Sequence, residues 1–176
     1  MLNILGKRRV VIMSTVTTLV LFTVVMFIVN PFIDGKNGMD VLALQLAFNK
    51  DLGIDIINGW THIGIEKFNQ FIFTDYLYAL SYSIFFASIL SALIIKKSMQ
   101  NISKYKLIIY LPFIAGLLDW IENTLELFFI NNPIEFSEIL FFIHSIVAIS
   151  KWLIFPIVIT FIIKLSLPER RSPNKI

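Results

Sequence analysis

Four long apolar stretches constrain the fold of this chain more than any other feature of its sequence. About 20 helical residues are needed to cross the hydrocarbon core of a bilayer. Backbone inside lipid must satisfy its own hydrogen bonds, so such stretches form helices. The sequence therefore predicts an all-α membrane protein, a four-transmembrane-helix bundle. Its predicted spans cover residues 10–29, 76–95, 107–130 and 139–163.

The composition agrees with a single polytopic membrane domain over residues 1–176. Hydrophobic residues make up 57% of the chain and charged residues 15%, whereas soluble domains carry about 25% charged residues. Four spans leave almost no chain for a separate soluble domain. The chain has no cysteine, which excludes disulfides, thiolate metal sites and cysteine-linked haem. We therefore expect no cofactor.

The basic residues predict the orientation of the spans, because cytoplasmic loops of membrane proteins are enriched in Lys and Arg. Most of them precede the first span, lie between the second and third, or follow the fourth, namely Lys7, Arg8, Arg9, Lys96, Lys97, Lys104, Lys106, Lys164, Arg170, Arg171 and Lys175. Both termini are therefore predicted to be cytoplasmic, with residues 165–176 as a tail. The first span exceeds the ~7–15-residue core of a secretory signal, so it is predicted to be an uncleaved anchor.

Residues 31–75 form the longest connection and are predicted to be an extracytoplasmic amphipathic helical segment between spans one and two. Asn49 is a favourable N-cap for a short helix there. Gly59 is expected to end that helix, and Trp60 after it is typical of the membrane interface. From Ile63 onward the pattern is helical again and is expected to run into span two. Two interpretations stay open: the segment caps the bundle, or it only connects two spans.

The third stretch carries a row of polar side chains at positions that should lie inside the bilayer. One face of the predicted helix, at spacing i, i+3, i+4 and i+7, carries Asp119, Glu122, Asn123 and Glu126. A charged carboxylate at mid-bilayer costs about 2.5–3.5 kcal/mol or more. Either basic partners neutralise these acids, or some of them keep a proton.

The fourth stretch offers basic partners at matching depths. His144 and Lys151 share one face, separated by about 10.5 Å at the helical rise of 1.5 Å per residue. Spans three and four are joined by a short turn, so they are antiparallel neighbours, and we predict an ion pair of Asp119 with Lys151. The same register predicts a pair of Glu126 with His144. The partner of Glu122 stays open between Lys151, a tyrosine of span two and its own proton.

The start of the second span supplies further polar groups on one face. Asp75, Tyr78 and Tyr82 follow each other at helical spacing. Asp75 is expected at the depth of Glu126, while Tyr82 lies deeper and is predicted to reach Glu122 or Asn123.

These rows give a set of candidate site residues. The candidate catalytic residues are Glu122, Asp119 and His144. The candidate ligand-binding residues are Asn123, Glu126, Tyr82, Tyr78, Asp75, Lys151 and Trp152. No metal is expected, because Lys151 already compensates the acids.

Three functions compete for this site, and no familiar enzyme motif decides between them. The first is binding of an amphiphilic or lipid-like ligand in an intrabundle polar cavity, with acid–base chemistry as an extension. The second is a non-catalytic membrane protein, of a partner-binding, assembly or immunity type, in which buried ion pairs only fix helix packing. The third is proton or cation transport by an oligomer. The first is the preferred prediction, and a cavity that reaches Asp119 and Glu122 would distinguish it.

Two groups of membrane proteins resemble this sequence. Asp75 with Tyr78 and Tyr82, the D-x-x-E-N of 119–123 and Lys151 resemble a family of small bacterial four-span proteins. That family has an Asp at the start of span two and D-x-x-E-N in span three. The resemblance implies a bacterial cytoplasmic membrane and assigns no chemistry. In size, span number and embedded acids the chain is also similar in architecture to the EXPERA group, which implies amphiphile binding.

The expected partners follow from these predictions. Membrane lipids surround the chain, and the ligand is a lipid-like small molecule. Nucleic acid is not expected as a partner. A homo-oligomer or a second membrane protein stays open.

Overall fold

The computed structural model describes residues 1–29, 40–97 and 102–168, and within these ranges the chain is helical and has no strand. Residues 31–39 of the predicted outer segment lie outside the described residues. The predicted tail beyond Pro168 does so too. Seven α-helices occur in the described ranges: α1 (Leu2–Leu5), α2 (Arg8–Thr23), α3 (Asp40–Gln45), α4 (Lys50–Asn58), α5 (His62–Lys96), α6 (Ile102–Asn131) and α7 (Glu138–Ser166). A π-helical stretch, Val24–Val29, continues α2.

Within the described ranges, three helical stretches are long and apolar enough to cross a membrane. They are Arg8–Phe27 and the whole of α5 and α7. Helix α6 has 30 residues, a sufficient length, and carries a row of three acids. The crossing of a membrane by α6 stays a prediction.

Side-chain caps fix where the shorter and longer helices begin. Asn49 caps α4 as predicted, because its side chain accepts a hydrogen bond from the Leu52 backbone N–H at 3.0 Å. Gly59 follows the end of α4. Thr61 caps α5 by accepting from the Gly64 N–H. The end of the predicted outer segment and the second apolar stretch therefore belong to one 35-residue helix.

Helix α5 is the centre of the assembly and packs against α2, α6 and α7, while α6 also packs along α7. Close approach of α5 and α6 depends on Gly116, since a Cβ there would collide with the Ser83 hydroxyl and lie 3.1 Å from the Ala79 carbonyl oxygen. The Ser83 hydroxyl also donates to the Pro112 carbonyl at 2.8 Å. The contact between α5 and α6 thus combines the small residue Gly116 with a hydrogen bond from Ser83 to Pro112.

Two apolar cores occupy the two ends of the long helices. One core is built around Phe68, Phe129 and Phe141, together with residues of α3 and α4. The other lies around Ile94 and Val158. The buried polar residues of α5, α6 and α7 lie between these cores, so the fold places them in the middle of its long helices.

The short helices α3 and α4 pack on the beginning of α7. Phe48, in the turn between them, has a φ of 54°, a left-handed conformation uncommon for a residue other than glycine. Its backbone N–H donates to the Ser145 hydroxyl of α7 at 3.1 Å. This hydrogen bond ties the turn to the long helices close to His144.

Candidate functional site

A lysine and two carboxylates form the centre of the buried polar cluster. The Nζ atom of Lys151 lies 2.7 Å from Oδ1 of Asp119, and 2.9 Å and 2.8 Å from the two carboxylate oxygens of Glu122. All three side chains are at most 6% exposed. The predicted pair of Asp119 with Lys151 is therefore confirmed, and Lys151 is also the partner of Glu122. We call these three residues the lysine cluster.

A tyrosine from α5 completes the lysine cluster. The hydroxyl of Tyr82 donates to Oδ2 of Asp119 at 2.9 Å, so both oxygens of that carboxylate are bonded. The prediction that Tyr82 reaches Glu122 or Asn123 was wrong. The connection between the antiparallel helices α5 and α6 determines which of their residues lie at the same depth. In the structure, Tyr82 of α5 lies level with Asp119 of α6.

About one helical turn along α6 from Asp119, Asn123 lies beside Asp75 of α5. The Nδ2 of Asn123 donates to Oδ2 of Asp75 at 2.8 Å. An amide satisfies one carboxylate oxygen but brings no positive charge. Among the described residues, Asp75 therefore has a neutral partner and no ion pair.

Glu126 and His144 meet as predicted, but without a hydrogen bond. His144 Nε2 lies 3.4 Å from Oε1 of Glu126, and the two side chains are 0% and 1% exposed. Within the described ranges, neither this oxygen nor either ring nitrogen has a hydrogen-bond partner. The rings of Phe129 and Phe141 enclose the imidazole, at centroid distances of 5.3 Å and 5.6 Å.

Gln45 of α3 also belongs to the site, although no role was predicted for it from the sequence. It is 8% exposed, its side chain hydrogen-bonds Glu126, and its Oε1 accepts from the Trp152 indole at 3.2 Å. The available signal was a single amide in an otherwise apolar run, between Leu44 and Leu46. Amides in such runs usually need a buried partner, and the partner here is 81 positions away in the sequence.

A cavity of about 620 Å³ adjoins these polar groups. Eight predicted site residues line it: Asp75, Tyr78, Tyr82, Asp119, Asn123, Glu126, Lys151 and Trp152. The two remaining candidates, Glu122 and His144, are fully buried and do not line it. The predicted ligand-binding residues are thus brought together, whereas Glu122 is shielded by its ion pair with Lys151.

The rest of the cavity wall is apolar except for Thr18 and Gln45. Its aliphatic and aromatic lining includes Leu19, Phe22, Val25, Val41, Leu42, Phe68, Phe71, Ile72, Phe85, Phe86, Phe155 and Ile159. Pockets for small molecules are commonly apolar with a few polar groups that fix orientation. This cavity has that organisation, with most of its polar groups on α5, α6 and α7.

The cavity lining includes exposed side chains between α2 and α7. Among the described helices, α2 packs mainly against α5 and at most weakly against α7. Leu19 of α2, Met26 of the π-helical stretch and Trp152 of α7 line the cavity and are 59%, 41% and 46% exposed. We call this exposed side of the cavity its mouth.

No protein-family model, no curated protein and no solved structure matches this chain. Its function is therefore inferred from the geometry of the site. Within the described ranges no group of three or more His, Asp or Glu side chains is arranged to hold a metal ion. What the site offers is carboxylate, amide and phenol groups at one side of an apolar space.

Proposed function

We propose that this chain is a four-span integral membrane protein that binds an amphiphilic, lipid-like ligand in the cavity between α2, α5, α6 and α7. One observation carries the proposal: a cavity of about 620 Å³ has apolar walls and eight polar or indole side chains of the candidate site. The volume is within the range of about 300–1,000 Å³ typical of small-molecule sites. An amphiphile matches both parts of the lining.

The membrane crossing of α6 is part of this proposal. A helix with three acids is costly in lipid unless the acids are compensated. Lys151 compensates two of them at 2.7–2.9 Å, and Glu126 is buried against α3 and α7. Burial of these groups inside the helix assembly supports a fourth span.

The distribution of charge supports cytoplasmic termini and an extracytoplasmic segment 31–75. Gly6 lies against Ser91 near the end of α5, and Lys97 donates to the Leu167 carbonyl at the end of α7. The start of α2 and the ends of α5 and α7 are therefore on one side, where the basic residues concentrate. We propose that this side is cytoplasmic. The membrane would be a bacterial inner membrane if the family resemblance holds.

Acid–base chemistry is an extension of the binding proposal. A catalytic acid or base must come within hydrogen-bond reach of the ligand. Asp119 and Glu126 line the cavity, whereas Glu122 and His144 do not and could act only through their neighbours. The ligand-contacting carboxylates are thus the first candidates for chemistry.

A second candidate function is favoured by the saturation of the lysine cluster. Each oxygen of Asp119 is bonded, and Lys151 contacts both carboxylates. Such a network fixes how α6 docks on α7 without any ligand. On that alternative the chain is a non-catalytic partner-binding or assembly protein, and the cavity is filled by bulk lipid without preference.

A third candidate, proton or cation transport by an oligomer, is favoured by the acids Asp75, Asp119 and Glu126 along one cavity wall. Proton flux into liposomes that Glu126→Gln abolishes would support transport. The binding proposal expects no flux.

The binding proposal is tested by filling the cavity. Val25 lines it and is 6% exposed, whereas Val16 on the same helix is 56% exposed and does not line it. Native mass spectrometry would count amphiphiles retained by the wild type, Val25→Trp and the matched control Val16→Trp. We expect retention in the wild type and control, and loss in Val25→Trp. Equal retention by all three, with Val25→Trp folded, would contradict a ligand in this cavity.

A further inference from the structure

The four carboxyl groups at the centre of the fold divide into two sets with different partners. Asp119 and Glu122 share Lys151 at 2.7–2.9 Å. Asp75 and Glu126 make no ion pair with a lysine or arginine among the described residues. Among the described residues, Lys151 is the lysine at this level of the fold, and it pairs with the first set of carboxyls.

Asp75 and Glu126 nevertheless belong to one place in the cavity. Both line it, and Asn123, which bonds Asp75 at 2.8 Å, precedes Glu126 by three residues on the same helix. Three residues correspond to about 4.5 Å along a helix, so Glu126 lies less than one turn from the partner of Asp75. We call the part of the cavity lined by these two carboxyls the acidic subsite.

An unsatisfied atom marks the acidic subsite as incomplete. Glu126 is 1% exposed, and its Oε1 has no hydrogen-bond partner within the described ranges. A buried polar atom without a partner is costly. Its near neighbour Nε2 of His144, at 3.4 Å, also lacks a hydrogen-bond partner among the described residues. Glu126 lines the cavity, so a turn of its carboxyl toward the cavity would let a donor group on a ligand supply the missing bond.

Lys151 also lines the cavity, but its ammonium group is paired with Asp119 and Glu122. The other neighbours of the subsite are neutral. Asn123 and Gln45 are amides, and Tyr78 beside Asp75 is a phenol. Two carboxyl groups at the end of an apolar cavity, with neutral neighbours, attract a cation more strongly than a neutral donor. They also disfavour an anion, since like charges in a dry site repel strongly.

We propose that the acidic subsite binds the positively charged amine head of a single-chain amphiphile, held between Asp75 and Glu126. The chain of the amphiphile then lies along Phe22, Val25 and the other apolar walls toward the mouth between α2 and α7. The inference rests on the proposed binding function and adds the class of head group. It also moves the centre of recognition from Glu122 to the two carboxyls that lack a cation.

Three probes with the same chain separate the head-group classes: dodecylammonium, dodecanol and dodecanoate. Binding to the full chain would be measured in phosphatidylcholine nanodiscs, with empty nanodiscs for the background of partitioning. We expect the amine to bind about tenfold more tightly than the alcohol, because a charge-assisted hydrogen bond is roughly twice as strong as a neutral one. The carboxylate is expected to bind most weakly.

The variants Asp75→Asn and Glu126→Gln test the assigned residues, because each change removes an acid and keeps the shape. We expect each to lower amine affinity at least about fivefold and to leave alcohol affinity within about twofold. Asp55→Asn and Glu135→Gln are matched controls on exposed residues outside the cavity. They are expected to leave the preference unchanged.

The possible failures are distinguishable. If none of the probes binds above background, or if Val25→Trp leaves all binding intact, the proposed function itself fails. If the probes bind in the cavity but the alcohol or carboxylate equals the amine, only the inference about charge fails. If the amine preference survives in Asp75→Asn and Glu126→Gln, both folded by circular dichroism, the assigned subsite is wrong.

Discussion

The indole N–H of Trp152 donates to Oε1 of Gln45, 107 positions earlier in the chain, at 3.2 Å. The Gln45 side chain also bonds Glu126, so one amide joins α3 to α6 and α7. Val41 and Leu42 of α3 line the cavity. The short helix α3 is therefore part of the cavity wall, and Gln45 fixes it there.

Replacement of Gln45 by methionine should loosen α3, since the change removes both hydrogen bonds and keeps the length of the side chain. We expect faster amide hydrogen exchange in residues 40–45 and no change in α5, because local opening reports local contacts. Leu46→Met is a suitable control, as Leu46 is 41% exposed. Unchanged exchange in α3 would show that packing of Leu44 alone holds the helix.

Removal of the lysine cation should destabilise the fold strongly. Lys151→Met leaves Asp119 and Glu122 buried without compensation, and breaking such a pair costs about 3–5 kcal/mol. Reversible unfolding in mixed detergent would measure the loss of free energy. Because Lys151 serves two acids, the double variant with Asp119→Asn should recover only part of the stability, and a triple variant that adds Glu122→Gln should recover more. Simple additivity of the single effects would contradict the observed contacts.

Loss of one hydroxyl tests the bond between α5 and α6. Tyr82→Phe removes the donor to Oδ2 of Asp119 and should lower the free energy of unfolding by about 1–3 kcal/mol, because a buried carboxylate oxygen loses its partner. Tyr110→Phe is the control, since Tyr110 is 49% exposed and should change stability by less than about 0.5 kcal/mol. An equal effect of the two variants would mean that the hydrogen bond contributes nothing.

Close packing of α5 on α6 gives a further prediction. Gly116→Ala introduces a Cβ that collides with the Ser83 hydroxyl and approaches the Ala79 carbonyl at 3.1 Å. We expect a loss of about 1–3 kcal/mol, as overpacking forces helices apart. Ser83→Ala in the same chain should restore part of it by removing the colliding oxygen. A double variant less stable than Gly116→Ala alone would show that the hydrogen bonds of Ser83 matter more than the collision.

The sequence predicts the contacts of α6 with α7 better than those of α5 with α6. Helices α6 and α7 are joined by a short turn, so their register follows from counting residues, and Lys151 meets Asp119 as expected. In the predicted spans, the connection before span three covers residues 96–106 and the connection after it only residues 131–138, and a shift of one turn moves a side chain by about 5.4 Å. That uncertainty is why Tyr82 was matched with Glu122 and Asn123 instead of Asp119.

The partner of Glu122 was open at the sequence level for a related reason. Lys151 has three donors and reaches both carboxylates, and a catalytic role of Glu122 stays a prediction. The incomplete group is instead Glu126, whose expected partner His144 approaches without bonding. Spacing along a helix predicts the depth of a side chain. It does not predict whether the flexible Lys151 contacts Asp119, Glu122 or both.

The mouth between α2 and α7 has a consequence for how affinity must be expressed. On the proposed function, a ligand that enters past Leu19 and Trp152 would come from the surrounding lipid, where amphiphiles are concentrated far above their level in water. Occupancy of the cavity would then follow the mole fraction of ligand in the bilayer. Diluting a sample with buffer should leave it loaded, whereas diluting it with empty vesicles should unload it.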